Sequence, residues 1–490
     1  MKNIYSSFGA GHHLATGTIK IFLAEALILP TGFITTIFLA RTLGPMSYGL
    51  FALASVLVLW VEWAGSALYT HATIKFISEN SDWEPIGTGA IQIHFVTGIL
   101  IAILLWFLST PLSRMFNEPL MADYLRIYSV DIPVFTMARA YCNILIGTGH
   151  FKERALVSAA RKFARLLLVI LLVGIGLSVQ GAIIGMIGAS IVEFLICRFY
   201  IRLPLFCKPT FPIQNFLAFA APLFLSSLSL SIFRLDLLAL KILSCTASVV
   251  GFYGVARNLS IPITLFSGSF SPSLLATLSN LLRNGKDEKA KEIANISIRF
   301  NIHLVPFAAI IAGASGEIIF LIFGDQYMPA DKILSVLIFA ALALLSMNVS
   351  KSILTALDKP VWVLALSGSI VPIALIGYLI LIPLLGGLGA AIVTASVSSL
   401  GAIASIFSVY LVWNIFPGIK TLMTSLFCSV LAYLLALSWP VSGIFIIPKL
   451  TIIILIIVLI YWLFGELTSS DIAMFRSLFQ TRQTKTIEHT

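Results

Sequence analysis

A hydrophobic segment that carries charges near its centre occupies residues 223–258 and reads LFLSSLSLSIFRLDLLALKILSCTASVVGFYGVARN. An apolar stretch runs into Arg234 and Asp236, turns after Lys241, and continues as a second apolar stretch that contains Arg257. The surrounding sequence is typical of helices embedded in lipid, where an arginine near the helix centre costs roughly 2.5–3.5 kcal/mol on insertion. We therefore expect these charges to have a function or a buried partner.

The composition is that of a membrane protein. Of 490 residues, 59% are hydrophobic and 11% are charged, whereas roughly a quarter of the residues in a soluble domain are charged. Apolar stretches of about 20 residues recur along the chain, and each is long enough to cross the bilayer as a helix. The sequence thus predicts an all-α polytopic membrane protein with about 14 transmembrane helices, and it excludes a soluble enzyme.

The predicted spans also set the topology. Most of the 31 lysines and arginines, Arg154 and Arg161 among them, fall on one side of the membrane, and the positive-inside rule places that side in the cytoplasm. Both termini are therefore predicted to be cytoplasmic. The net charge of +10 follows mostly from this asymmetry, so it does not indicate a nucleic-acid partner. The spans are 19–40, 48–70, 90–108, 123–147, 158–178, 180–200, 215–241, 249–278, 298–323, 330–355, 361–384, 387–413, 420–438 and 444–464.

Short motifs repeat at intervals of 205 to 209 residues. Tyr48-Gly49 recurs as Tyr253-Gly254, and Gly181-Ala182 recurs as Gly389-Ala390. Duplication of an even number of helices keeps both copies in the same orientation, so we predict two parallel six-helix lobes. The predicted domains are an N-terminal lobe at 1–213, a C-terminal lobe at 214–414, and two further helices with a tail at 415–490.

Two turns resemble those of a known family. The sequence LARTLGPMSYGLFA at 39–52 resembles the turn between helices one and two of the bacterial polysaccharide (Wzx-type) flippases, and 236–256 resembles their helix-seven to helix-eight segment. The resemblance implies membership of the multidrug, oligosaccharidyl-lipid and polysaccharide exporter superfamily, whose fold is two six-helix lobes around a central cavity. The implied function is the translocation of undecaprenyl-pyrophosphate-linked oligosaccharide units, of O-antigen or a related surface polysaccharide, across the bacterial inner membrane by alternating access.

The resemblance also implies partners. The expected ones are the undecaprenyl-pyrophosphate-linked glycan, the lipid bilayer and the polysaccharide polymerase machinery. No cofactor, metal site or nucleic acid is expected, and the coupling ion is left open between H⁺ and Na⁺.

Four cations are candidate ligands of the pyrophosphate in a water-filled cavity: Arg139, Arg234, Arg257 and Lys241. Arginine suits this role because its planar fork binds two phosphate oxygens at once. Arg234 and Lys241 are seven residues apart and share one helix face. The alternatives are that Arg139 pairs with Asp131 or Glu62 to fix helix packing, and that Lys241 reaches the membrane interface.

Two acids within the spans, Glu62 and Asp236, are candidates for ion coupling. A carboxylate that loads and releases an ion must change its protonation or occupancy near working pH, and burial favours this. The alternative is that each acid simply pairs with one of the arginines.

Two other classes of function remain open. An exporter of amphiphilic cations on the same fold would need an acidic cavity. A membrane glycan polymerase or ligase would need a large outward loop, whereas the longest predicted outward loop, near 109–122, is short. The sequence contains no HExxH, GxSxG or phosphate-binding glycine loop. We therefore expect a transporter and not an enzyme.

Overall fold

The structure is a computed structural model that describes residues 27–80, 82–204, 236–243 and 246–466. Within these ranges nearly all residues are helical, and no β-strand is present. Eight helical segments of the described ranges are long and apolar enough to cross a membrane. Two of these segments, Phe151–Tyr200 and Val361–Trp413, have 50 and 53 residues, enough for two crossings each. The prediction of an all-α polytopic membrane protein with about 14 spans is confirmed.

The helices of the first part of the described chain follow the predicted spans closely. Residues 205–235, which include most of the seventh predicted span and Arg234, lie outside the described ranges. The helices are α1 (Ile28–Glu79), α2 (Glu84–Met115), α3 (Leu120–Ser129), α4 (Asp131–Gly147), α5 (Phe151–Leu172), α6 (Ser178–Tyr200), α7 (Asp236–Ile242) and α8 (Ala247–Arg283).

The second part of the described chain is built in the same way. The ninth predicted span is divided among three consecutive helices, α9 to α11, and a short 3₁₀ turn follows it. The helices are α9 (Asp287–His303), α10 (Val305–Gly313), α11 (Ser315–Phe323), α12 (Asp331–Ala356), α13 (Pro360–Trp413), α14 (Ile419–Ser438) and α15 (Ile446–Leu463).

Glycines with left-handed backbone angles interrupt the longest helices. Helix α1 breaks at Gly44 (φ 72°), and α13 breaks at Gly386 (φ 58°). A π-helical turn between α5 and α6, Val173–Leu177, contains Gly176 (φ 98°). Glycine adopts such angles readily because it has no Cβ atom. The breaks at Gly44 and Gly386 fall between neighbouring predicted spans, so α1 and α13 each correspond to two spans.

Left-handed residues recur at a nearly constant interval along the chain. Three pairs of such residues are separated by 207, 209 and 210 residues: Asn117 and Gly324, Gly149 and Asp358, and Gly176 and Gly386. The backbone therefore repeats with almost the interval of the sequence motifs. The predicted domain boundaries stay a prediction.

The chain divides into two compact units. The first comprises the described residues of Met1–Asn258 together with Ile382–Gly387, and the second comprises those of Leu259–Leu381 and Leu388–Thr490. Each unit has its own apolar core. Core residues of the first unit include Ile77, Met137, Tyr141 and Ile144, and those of the second include Leu278, Ile298, Leu345 and Val349.

The two segments that carry the family resemblance meet within the first unit. A Cβ atom on Gly251 would overlap the carbonyl oxygen of Pro45, and one on Gly49 would overlap that of Ala247. The backbones of α1 and α8 therefore touch at two positions that only glycine fits. This contact explains why both turns of the sequence contain glycine.

Candidate functional site

Charged residues and one phenylalanine from four helices of the first unit come together in what we call the arginine cluster. Sequence hydrophobicity alone would not place charges here, because the surrounding helices are long and apolar. The arginine cluster consists of Glu62 from α1, Asp131, Phe135 and Arg139 from α4, Arg154 and Arg161 from α5, and Glu193 from α6.

Helix periodicity brings these side chains to one place. On α4, Asp131, Phe135 and Arg139 follow one another at intervals of four residues, which places them on one side of the helix. On α5, Arg154 and Arg161 are seven residues apart, two helical turns, and also share a face. Each helix therefore presents a short polar stripe to its neighbours.

At the centre of the cluster, two guanidinium groups share one carboxylate and one aromatic ring. Arg161 Nη1 lies 3.0 Å from Glu193 Oε2, and Arg139 Nη2 lies 3.6 Å from Glu193 Oε1. The guanidinium carbons of Arg139 and Arg161 are 4.8 and 4.6 Å from the centre of the Phe135 ring. Cation–π contacts of this kind hold the two positive groups in position.

The acids and the arginines of the cluster differ in exposure. The Glu193 carboxylate interacts with the guanidinium groups of Arg139, Arg161 and Arg154, and Glu62 and Asp131 interact with Arg161 as well. The Glu193 side chain is 1% exposed, whereas those of Arg139 and Arg161 are 28% and 15% exposed. The positive groups thus lie nearer to the surface of the first unit, an arrangement suited to binding an anion.

Two further acids, Glu62 and Asp131, lie beside the arginines. Glu62 and Asp131 are both buried and interact with each other. Two buried carboxylates repel when both are ionised, so such a pair is able to hold one exchangeable proton. The role of Glu62 in ion coupling stays a prediction.

The predicted cation Arg257 pairs with the predicted coupling acid Asp236. Arg257 Nη1 lies 2.9 Å from Asp236 Oδ1, and the hydroxyl of Tyr253 donates to Asp236 Oδ2 at 2.9 Å. The backbone N–H of Leu237 also donates to Asp236. Asp236 therefore accepts from several donors, and the proposed roles of Asp236 and Arg257 in transport stay predictions.

The predicted cation Lys241 lies in the wall of a cavity of about 470 Å³ in the first unit. Its Nζ donates to Glu118 Oε1 at 2.7 Å, and the side chain is buried. Glu118 follows the left-handed residue Asn117, whose turn directs the chain from α2 into α3. Lys241 is therefore held by an acid. Arg234, the remaining predicted cation, lies outside the described residues.

Sequence reasoning found Arg139 and Glu62 but missed the residues that organise them. Arg139 contacts Glu193, whereas the packing alternative named Asp131 or Glu62 as its partner. Arg154 and Arg161 were counted as loop cations, because they fall at the charged end of a span. Their interval of seven residues is the signal that places both side chains on one face of α5.

Comparison with known sequences gives one family. The sequence profile described as "Polysaccharide biosynthesis protein" matches residues 38–332, which include the whole arginine cluster. No curated protein sequence matches the chain.

Solved structures of membrane transporters have a similar fold. The lipid II flippase MurJ, in an inward closed conformation, aligns with a TM-score of 0.75 and 17% identity over 94% of this chain and 100% of that chain. An inward-facing multidrug resistance MATE family transporter of the MOP superfamily aligns with a TM-score of 0.63 and 15% identity over 79% of this chain and 94% of that chain. A MOP superfamily transporter from Pyrococcus furiosus, described by the reverse polarity of its binding pocket, aligns with a TM-score of 0.56 and 15% identity over 81% of this chain and 95% of that chain. At these identities the similarity shows the fold alone.

Proposed function

Because this chain belongs to the polysaccharide biosynthesis protein family, we propose that it is a flippase for lipid-linked glycans and not an enzyme. Its proposed cargo is an undecaprenyl-pyrophosphate-linked oligosaccharide unit of O-antigen or a related surface polysaccharide. It would carry this unit across the bacterial inner membrane by alternating access, with both termini in the cytoplasm. The polysaccharide polymerase machinery is the proposed partner that receives the cargo.

The observation that carries the proposal is the guanidinium pair of Arg139 and Arg161 over Phe135. A pyrophosphate head has at least two negative charges and must leave water to cross the membrane. Two arginine forks match its oxygens in geometry and charge. Glu193 aligns both guanidinium groups, and these groups are more exposed than the acids around them, so they are the part of the cluster that the anionic head would meet.

The exposure of the charged groups separates this proposal from export of amphiphilic cations. A cation exporter on this fold would present carboxylates to its substrate. Here Glu62, Asp131 and Glu193 are all buried, while the guanidinium groups are partly exposed. The cluster therefore favours an anionic cargo.

The coupling ion would serve to reset the empty transporter. Outward movement of two negative charges is favoured by roughly 4–5 kcal/mol at an inside-negative potential of 100 mV, so loaded transport needs little further drive. The empty, positively charged site returns inward along the same field, so the coupling ion would act by changing the charge of the arginine cluster and not by driving the return. We propose that Glu62, beside Asp131, carries a proton or a sodium ion in this step.

Charge reversal tests the function directly. Cells that produce Arg139→Glu or Arg161→Glu are expected to lose the surface glycan and to accumulate lipid-linked units in the inner leaflet. The exposed Arg114, which lies outside the arginine cluster, provides the control Arg114→Glu. Immunoblotting of membrane fractions checks that each variant is inserted. Normal surface glycan in both cluster variants would contradict the proposal.

A further inference from the structure

Two cysteines lie side by side within the first unit. Cys142 of α4 and Cys197 of α6 are 1% and 0% exposed, and their sulfur atoms are 3.8 Å apart. A disulfide has an S–S distance of about 2.05 Å, so bond formation needs a closer approach of less than 2 Å. Helices α4 and α6 pack against each other, which keeps the two thiols opposite one another.

One of the two thiols contacts the arginine cluster. Cys142 Sγ donates to Glu193 Oε1 at 3.5 Å, and Glu193 is the acid that both Arg139 and Arg161 contact. A carboxylate at this distance is placed to accept the thiol proton, and the nearby guanidinium groups stabilise the resulting thiolate. Cys197 lies one helical turn after Glu193 on α6. The sulfur pair is thus connected to the cluster through one hydrogen bond.

We propose that Cys142 and Cys197 form a reversible disulfide that regulates the arginine cluster. The inference rests on the proposed function for its effect on transport but not for the bond itself. In the oxidised form, the Cys142 sulfur leaves Glu193, and a covalent bond ties α4, which carries Arg139, to α6, which carries Glu193. Helix movements that alter the spacing of Arg139 and Glu193 during transport are then restricted.

The oxidant is a peroxide. The Cys142 thiolate attacks one peroxide oxygen, and the O–O bond breaks to give the sulfenic acid and hydroxide. The hydroxide takes the thiol proton back from Glu193 and leaves as the first water. The Cys197 thiol then attacks the Cys142 sulfur, the S–OH bond breaks, and the second water carries away the hydroxyl group and the remaining proton. Two thiols and hydrogen peroxide thereby give one disulfide and two water molecules. A dithiol restores the reduced form by thiol–disulfide exchange.

The cellular setting fits a transient bond. Gly147 and Tyr200 end α4 and α6 on the side that the charge distribution predicts to be cytoplasmic. Thiols of cytosolic proteins are kept reduced, and disulfides there are usually transient and regulatory. The pair would therefore be reduced in resting cells and oxidised under peroxide stress.

The first measurement is chemical. The full-length protein in nanodiscs is treated with hydrogen peroxide, alkylated, digested and analysed by mass spectrometry. We expect a peptide linked through Cys142 and Cys197 that disappears after dithiothreitol. Cys428→Ser, which removes a buried cysteine of the second unit, is expected to retain the linked peptide. Recovery of both thiols free or over-oxidised in the treated protein would overturn the proposal.

The second measurement is functional. Translocation of a fluorescent lipid-linked glycan in proteoliposomes is expected to fall after peroxide, to recover after dithiothreitol, and to become insensitive to peroxide in Cys197→Ser. Unchanged translocation in the oxidised protein would overturn the regulatory role. If the reduced protein translocates nothing while the linked peptide forms, the proposed function has failed and the redox pair has not.

Discussion

The arginine cluster and its counterpart in the second repeat differ in chemistry at equivalent positions. At an interval of 208 to 209 residues, Arg161 corresponds to Ile370 and Glu193 to Gly401. In the first unit the guanidinium and carboxylate of this pair lie 3.0 Å apart. In the second, the Ile370 side chain fills the space that a Cβ atom of residue 401 would need. Equivalent helices thus pack once through charges and once through an apolar side chain against glycine.

Helices at these positions pack without charges in the second repeat. An isoleucine against a glycine joins the two halves of α13 without any insertion penalty for an ion, whereas each buried arginine has such a penalty. Around Arg139 the counterpart is likewise neutral, since Asn348 donates to Ser267 at 3.0 Å. Packing alone therefore does not account for the charges of the first unit, which supports the proposed anionic cargo.

The second unit also contains charged groups in its interior, among them Glu466 beside Arg299 and His303 and the pair of Lys449 with Glu317. Lys449 contacts both oxygens of Glu317 at 2.8 and 2.7 Å, and the backbone N–H of Val441 donates to the same acid. Glu317 belongs to α11 and Lys449 to α15, so the pair ties two helices together. This is a structural ion pair, in contrast to the three arginines around Glu193.

The largest expected effect comes from copying the second repeat into the first. Arg161→Ile combined with Glu193→Gly reproduces the Ile370 and Gly401 pair. We expect glycan translocation per inserted molecule to fall to background, and we expect the melting temperature to fall as well, because Arg139 and Arg154 lose the acid they share. Thermal melting in detergent and surface-glycan staining measure the two properties. A stable variant with normal glycan would show that the charges are dispensable.

Next in size is the effect of removing the exchangeable acid. Glu62→Gln keeps the shape of the side chain but cannot release a proton, so translocation in proteoliposomes is expected to lose its response to an imposed proton gradient. If the coupling ion is sodium, the response to a sodium gradient is lost instead. Glu317→Gln in the second unit serves as the control and should keep the response. Retention of both gradient responses in Glu62→Gln would remove this residue from coupling.

A smaller effect is expected when only the fork of Arg139 is changed. Arg139→Lys keeps the charge but loses the planar pair of donors, so affinity for the lipid-linked pyrophosphate should fall roughly five- to tenfold. Titration of the protein in nanodiscs with the lipid-linked substrate measures it. Equal affinities of the variant and the wild type would mean that Arg139 acts as a simple charge or not at all.

Replacing both members of the Lys449 and Glu317 ion pair in the second unit is expected to leave translocation unchanged. Lys449→Met alone leaves the partly exposed Glu317 without its cation and should lower stability by about 1–3 kcal/mol. Adding Glu317→Gln should recover most of the lost stability. The rate per inserted molecule is expected to equal that of the wild type in the double variant, and a lower rate would assign the pair a role in transport.

The sequence was sufficient for the helices because hydrophobicity and length determine them. Gly44 and Gly386 interrupt the helices between predicted spans, and both long helices were recognised as span pairs. The position of Arg139 within the membrane was also predictable, since its neighbours are apolar. These properties depend on residues close together in the chain.

The partners of the charges were not predictable, since they depend on which helices meet. Arg139 and Glu193 are 54 residues apart, and only the packing of α4 against α6 joins them. Arg161 looked like a loop cation because the positive-inside rule counts charges near span ends. Phe135 was not identified, since one phenylalanine among many apolar residues has no distinguishing pattern in the sequence.

The left-handed turns at Gly149 and Asp358 show how two similar halves come to perform different tasks. Aspartate tolerates the left-handed angle better than most residues, so after a gene duplication this corner keeps its course although its residue changes. With the corners retained, the helices between them are able to exchange ions for apolar side chains along an unchanged path. One copy is then able to specialise in recognition while its twin remains a scaffold, and neither has to evolve a new architecture.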